Sequence, residues 1–199
     1  MDWDEPGDRF SYCFVILDEG GNHFKENNSS TQENLCYGKD ILAVADGVVV
    51  KICNKHSDFS DNKADEAADY TGSWDTVGNH VIIQHGTNEY SCVGNLMRDS
   101  IKVKVGDKVR QGNIIAKCGN SGYATEEPCL YFNLLSSKRF YLSTSLPIAF
   151  TNIKAEESSA YNLAHINARE TCPSTKGNFE VIGNRSYIGR GLDVENLKI

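Results

Sequence analysis

The sequence predicts an all-β fold: an antiparallel β-sandwich or barrel with long loops. Short runs of β-branched and aromatic residues recur along the chain, above all between 78 and 135. Gly, Asn, Asp and Ser clusters separate them roughly every ten residues, the spacing of strands joined by turns. No heptad repeat and no long amphipathic helix interrupts this pattern.

The elements follow in order. Residues 10–17, Phe-Ser-Tyr-Cys-Phe-Val-Ile-Leu, read as a strand that ends at the turn residues Asp18-Glu19-Gly20-Gly21. Residues 22–35 are polar and rich in Asn and Ser, hence a loop. Ile41-Leu42-Ala43 and Val48-Val49-Val50-Lys51-Ile52 flank Ala45-Asp46-Gly47 in the manner of a hairpin. Residues 54–78 are polar and charged, a long surface excursion with a short helical piece at 63–69.

Further strands are expected at His80-Val81-Ile82-Ile83-Gln84-His85 and Glu89-Tyr90-Ser91-Cys92-Val93. Residues 101–105 alternate Ile, Val and Val with lysines, the period of a half-buried strand. Residues 109–118 return after the Gly106-Asp107 turn, and Leu130-Tyr131-Phe132-Asn133-Leu134-Leu135 is one more strand. Two regions result. Residues 1–150 form the β domain, with the 54–78 excursion as an insertion. Residues 151–199 are a C-terminal extension of loops and one or two edge strands packing on the same domain, drawn from Phe179-Glu180-Val181-Ile182-Gly183 and the segment around Leu192 and Val194.

Charge and composition narrow the function. A net charge of -7 with no basic cluster argues against binding a nucleic-acid backbone. No apolar run approaches the roughly 18 residues of a membrane span. The acidic N-terminus, Met1-Asp2-Trp3-Asp4-Glu5, shows no signal peptide. Seven cysteines without a CxxC pair fit neither a zinc ribbon nor a thioredoxin motif, and several sit in apolar runs, the pattern of buried thiols in a reducing compartment.

Segments at 37–50 and 78–135 resemble the lysostaphin/LytM-type zinc peptidases of family M23. Tyr37 through Val49 is similar to the family's "G-x-x-V-x-A-x-x-D-G-x-V". Gly78-Asn79-His80-Val81-Ile82-Ile83-Gln84-His85-Gly86 resembles "G-N-x-V-x-I-x-H-G". Tyr90 to Leu96 sits where the family has "Y-S-x-x-x-H-L", and Ser100 to Gly122 follows the run ending "G-N-S-G". Pro128-Cys129-Leu130-Tyr131-Phe132 falls where "P-H-L-H-F" is expected. The resemblance implies a duplicated hybrid motif fold, an extracytoplasmic setting for most members, and peptidoglycan as the usual substrate.

The resemblance also implies a zinc ion held by two histidines and an aspartate, with two more histidines assisting the water and the oxyanion. Those residues are replaced. The catalytic positions hold Asn95 and Cys129, and one ligand position holds Tyr131. For the aspartate, Cys36-x-Gly38-x-Asp40 mimics "H-x-G-x-D", whereas a register with an insertion puts Cys13 of Phe10-Ser11-Tyr12-Cys13 there. No catalytic residue and no metal are therefore expected. Zinc enters only if a cysteine site has been rebuilt. Cys13, Tyr90, Asn95, Cys129 and Tyr131 are the candidate binding-groove residues. For Cys13 and Cys129 three readings stand: two thiols filling a retired metal pocket, a disulfide or redox pair, or a rebuilt thiolate site.

His80 and His85 fall on opposite faces of one strand, with one in the core or at its rim. His23, His56 and His165 lie in polar segments and are expected at the surface. Biotinyl or lipoyl carriers share the hairpin style but need a lysine beside a methionine at a hairpin tip, which neither Met1 nor Met97 has. Phosphotransfer would need two histidines facing one pocket. The expected function is a catalytically inactive M23-like module that binds cell-wall peptide or a protein partner; the alternative is a zinc hydrolase with re-assigned ligands at Cys13 and Cys129.

Overall fold

Strand β4 (His80–Gly86) and strand β5 (Glu89–Gly94) form the centre of the structure, a computed structural model describing residues 7–19, 21–25, 30–59, 77–122, 127–150, 153–157 and 192–196. Thr87 and Asn88 close this hairpin in two residues, with Asn88 at φ 58°. Asn tolerates the left-handed conformation because its short polar side chain bonds locally, as such turns require. The first four residues of β4 are all buried, so the strand is covered on both faces. Ile82 and Ile83 are 0% and 1% exposed, each worth about 1.5–3 kcal/mol of apolar burial.

Around this hairpin the sheet grows to six antiparallel strands. β3 (Gly47–Cys53) and β6 (Lys108–Val109) extend one side; β8 (Leu130–Leu135) and β1 (Tyr12–Phe14) extend the other, in the order β1-β8-β5-β4-β3-β6. β2 (Asp40–Leu42) and β7 (Ile114–Lys117) make a separate two-stranded sheet. The chain divides into two compact units at Pro147/Ile148. In the second, β9 (Ile153–Glu157) and β10 (Leu192–Asn196) pair antiparallel in full register. No helix among the described residues is long and apolar enough to cross a membrane.

Several expected elements change. The segment 10–17 shortens to three residues in β1, because pairing with β8 is lost beyond Phe14. The two runs around Ala45-Asp46-Gly47 are not a hairpin: β2 pairs with β7, while β3 pairs with β4 and β6. Residues 101–105 are no strand. Lys102 N–H bonds Ile115 O at 2.8 Å, but no ladder follows and Val105 is 63% exposed. His56, expected at the surface, is 1% exposed. The helical piece at 63–69, His165 and the 179–183 segment lie outside the described residues.

Burial of His56 follows from Asn79, which is itself fully buried. Asn79 Nδ2 donates to His56 O at 2.8 Å and Leu96 O at 3.2 Å, and its Oδ1 accepts from His56 N–H at 2.9 Å. Asn79 N–H donates to Ser121 Oγ at 3.0 Å, and that hydroxyl donates to Leu96 O at 2.7 Å. One amide thus ties together segments at 56, 79, 96 and 121. Gly78 beside it holds φ +60°, and a Cβ there would meet Ser121 O at 2.2 Å. The Gly-Asn and Asn-Ser-Gly motifs are therefore structural: the glycine permits backbone contact and the amide satisfies the groups this contact buries.

Candidate functional site

β8 carries the site. Its alternation places Tyr131, Asn133 and Leu135 on one face, where with Val77, Ile82, Cys92 and Phe140 most of them join one buried apolar cluster. β5 brings Gly94 opposite Tyr131, which leaves Asn95 just past the end of the pairing. β1 sets Cys13 directly opposite Tyr131. Of the two residues considered for the aspartate position, Cys13 is thus the one paired with β8. Cys13, not Asp40, lies beside the "P-H-L-H-F" strand; Asp40 sits in β2, where Lys117 Nζ donates to it at 3.3 Å.

Four of the five candidate groove residues come together. Asn95 Nδ2 donates to Cys129 Sγ at 3.3 Å. The Cys129 thiol is hydrogen-bonded to Cys13, and this bond, with burial next, pushes the Cys129 thiol far up from its ordinary range. Asn95, Cys129 and Tyr131 are 1%, 4% and 2% exposed, whereas Cys13 is exposed at the mouth. Tyr90 is apart from them. It faces Leu135, four residues along β5 from Gly94, a separation of about 13 Å at the rise of a strand.

A polar network that sequence reasoning missed occupies the position beside Tyr131. The Tyr131 hydroxyl donates to the Asp8 carboxylate and accepts from Asn133 Nδ2 at 2.9 Å. Asn133 also donates to Gly7 O at 2.7 Å and accepts from Ser145 Oγ at 2.7 Å. Phe10 N–H in turn donates to Ser145 Oγ at 3.1 Å. Burial drives the Tyr131 hydroxyl well above the usual phenol range. Burial also raises the Asp8 carboxyl, against the lowering effect of the Tyr131 bond. The i, i+2 spacing of Tyr131 and Asn133 was a visible signal; nothing marked Asp8. Phe140 packs on the Tyr131 ring at 6.1 Å between centroids.

Three of the other described cysteines, Cys36, Cys92 and Cys118, sit in the core. Cys36 is buried and its sulfur accepts Ile16 N–H at 2.9 Å. Burial pushes the Cys92 thiol up to about 12 and raises Cys118 further. Thiols so shifted are poor nucleophiles. No disulfide joins the six described cysteines.

These residues do not fit the zinc of the resemblance. Its ligands must be deprotonated and number at least three. Among the described residues no group of three His, Cys, Asp or Glu side chains could hold a metal ion. Of the residues at positions the resemblance implied for zinc chemistry, Tyr131 keeps its proton in a bond to Asp8, and Asn95 has no proton to exchange. Of the histidines, His80 is buried with Nδ1 2.8 Å from Gly78 O, and His85 bridges Ser91 Oγ at 2.7 Å and Asp46 O at 2.8 Å, on the opposite face as expected. His23 is half exposed and pairs with Glu127 at 2.9 Å.

Across the same sheet runs a groove of about 580 Å³. Val50, Ile52, Phe140 and Leu142 give it an apolar lining, and Lys51, Lys55, Lys138 and Arg139 stand around it. All four cations are exposed, and among the described residues no Asp or Glu lines the groove.

Among solved structures, the chain is similar to the catalytic domain of the prophage-encoded M23 protein EnpA from Enterococcus faecalis, at 19% identity over 68% of this chain and 87% of that one, with a TM-score of 0.42. It is likewise similar to the catalytic domain of the antimicrobial peptidase lysostaphin from Staphylococcus simulans, at 18% identity over 70% and 90% of the two chains and a TM-score of 0.38. A zinc-containing peptidase from Vibrio cholerae matches at 18% identity over 68% and 39%, with a TM-score of 0.38. No curated protein matches the chain. The model of peptidase family M23 matches residues 27–141, more than half of the sequence and all of strands β2 to β8. On that match the chain belongs to peptidase family M23.

Proposed function

We propose that this chain is a non-catalytic M23 module that binds an acidic peptide, with carboxylate-bearing cell-wall peptide as its ligand class. The observation that carries this reading is the closed network at the former chemical centre. Asp8, Tyr131, Asn133 and Ser145 satisfy one another where the family would hold metal and water. Hydrolysis would need a group that polarises the carbonyl and a base that activates water. Tyr131 and Asn95 supply neither.

Binding is assigned to the groove over β3, which retains an apolar lining and four cations in a chain of net charge -7. Exposed cations around an apolar lining favour a ligand that offers both carboxylates and aliphatic side chains. The test has two arms. Purified protein is analysed for zinc and assayed against glycine-rich and cell-wall peptides, with expected values far below one zinc per chain and no cleavage. Sedimentation with insoluble cell wall is expected to retain the protein, and Lys138→Glu with Arg139→Glu to weaken retention at least tenfold. Stoichiometric zinc that disappears in Cys13→Ser with Cys129→Ser, together with zinc-dependent cleavage, would instead establish the rebuilt hydrolase. Failure of the wall to retain the native chain would sink the ligand assignment.

A further inference from the structure

Cys13 and Cys129 meet at the edge of the six-stranded sheet. Cys13 lies opposite Tyr131 in the β1–β8 register, and Cys129 precedes Tyr131 by two residues. Residues so related are diagonal neighbours on one face of an antiparallel pair. Their thiols touch through a hydrogen bond. The two differ sharply in access: Cys13 is exposed, and Cys129 is 4% exposed. Asn95 Nδ2 is directed at the Cys129 sulfur at 3.3 Å, where it would support negative charge on that atom. Cys36, Cys92 and Cys118 are buried, so Cys13 is the one fully exposed thiol among the described cysteines.

We propose that Cys13 and Cys129 are a redox dithiol, oxidised to an intramolecular disulfide by exchange with a low-molecular-weight disulfide such as glutathione disulfide, which staples edge strand β1 to β8. The exposed Cys13 thiolate attacks one glutathione sulfur. The glutathione disulfide bond breaks, one glutathione thiolate leaves, and Cys13 carries a mixed disulfide. Once Cys13 is in the mixed disulfide it no longer holds the hydrogen bond that does most to raise the Cys129 thiol, so Cys129 attacks the Cys13 sulfur and its proton passes to the second glutathione, which leaves as the thiol. Two protein thiols are oxidised and one glutathione disulfide is reduced to two thiols. β1 pairs with the sheet on one side only and is three residues long, so it can shift to bring the hydrogen-bonded sulfurs to bonding distance.

The full chain is equilibrated in buffers of graded oxidised and reduced glutathione, acid-quenched, alkylated and mapped by mass spectrometry. The expected result is the concerted loss of two of the seven thiols, a peptide joining residues 13 and 129, and full return in excess reduced glutathione. Cys36→Ser is expected to behave like the native chain. Cys129→Ala is expected to hold glutathione on Cys13 as a lasting adduct. Cys13→Ser changes an exposed residue, keeps the fold by circular dichroism, and is expected to lose the pairing entirely. A lasting Cys13–glutathione adduct on the native chain, a disulfide through any other cysteine, or no oxidation in excess glutathione disulfide would each overturn the proposal.

Discussion

Tyr131 is a core residue with a polar tip. Its ring packs against Phe140 while its hydroxyl serves Asp8 and Asn133. Tyr131→Phe keeps the packing but leaves the Asp8 carboxylate and an Asn133 donor without that partner. A loss of about 1–3 kcal/mol is expected by urea denaturation. Asp8 predicts a pH dependence. Its folded-state carboxyl is raised above the unfolded value of 3.8, so the native state binds more protons in the window from 3.8 up to the raised value. Stability therefore falls as pH rises through that window, because the ionised form is the one burial penalises. Denaturation midpoints measured from acid to neutral pH should show this decline in the native chain, and Asp8→Asn should flatten it. That residues 13, 95, 129 and 131 come together was legible because strand motifs anchor the segments that carry them. Asp8 was not: its bond to Tyr131 spans 123 residues and belongs to no pattern in the chain.

Strands whose burial pattern matches their alternation were readable, as β8 is. Residues 101–105 show why alternation alone does not suffice. A strand also needs a partner along its length, and beyond the single bond at Ile115 none follows. The run 41–52 failed differently: its turn chemistry was recognised, but β2 and β3 found partners in β7 and β4 rather than in each other. Local turn signals do not say which strands will pair. The junction before β4 is the most demanding element, since the Gly78 backbone presses on Ser121 and Gly122. Gly78→Ala combines a left-handed φ with a backbone clash and should cost at least about 2 kcal/mol. A thermal midpoint within a degree of the native chain would contradict this close contact.

For the molecule as a whole, the proposed non-catalytic reading predicts a scaffold held by hydrogen bonds and apolar packing without a metal. Prolonged dialysis against EDTA should leave the thermal midpoint unchanged, because a ligand stabilises only what it binds; a drop of several degrees, restored by zinc, would show a metal contribution. The Asn79 amide described above also bears on folding kinetics. Its bonds reach across 23, 17 and 42 residues to His56, Leu96 and Ser121. None of them can close until the segments that carry them have already been gathered, and loops of that length are costly to close early. Asn79 is thus placed to act after the rate-limiting step, as a latch rather than a seed. Asn79→Ala should leave the refolding rate nearly unchanged and speed unfolding, with most of its stability loss appearing on the unfolding limb of the chevron.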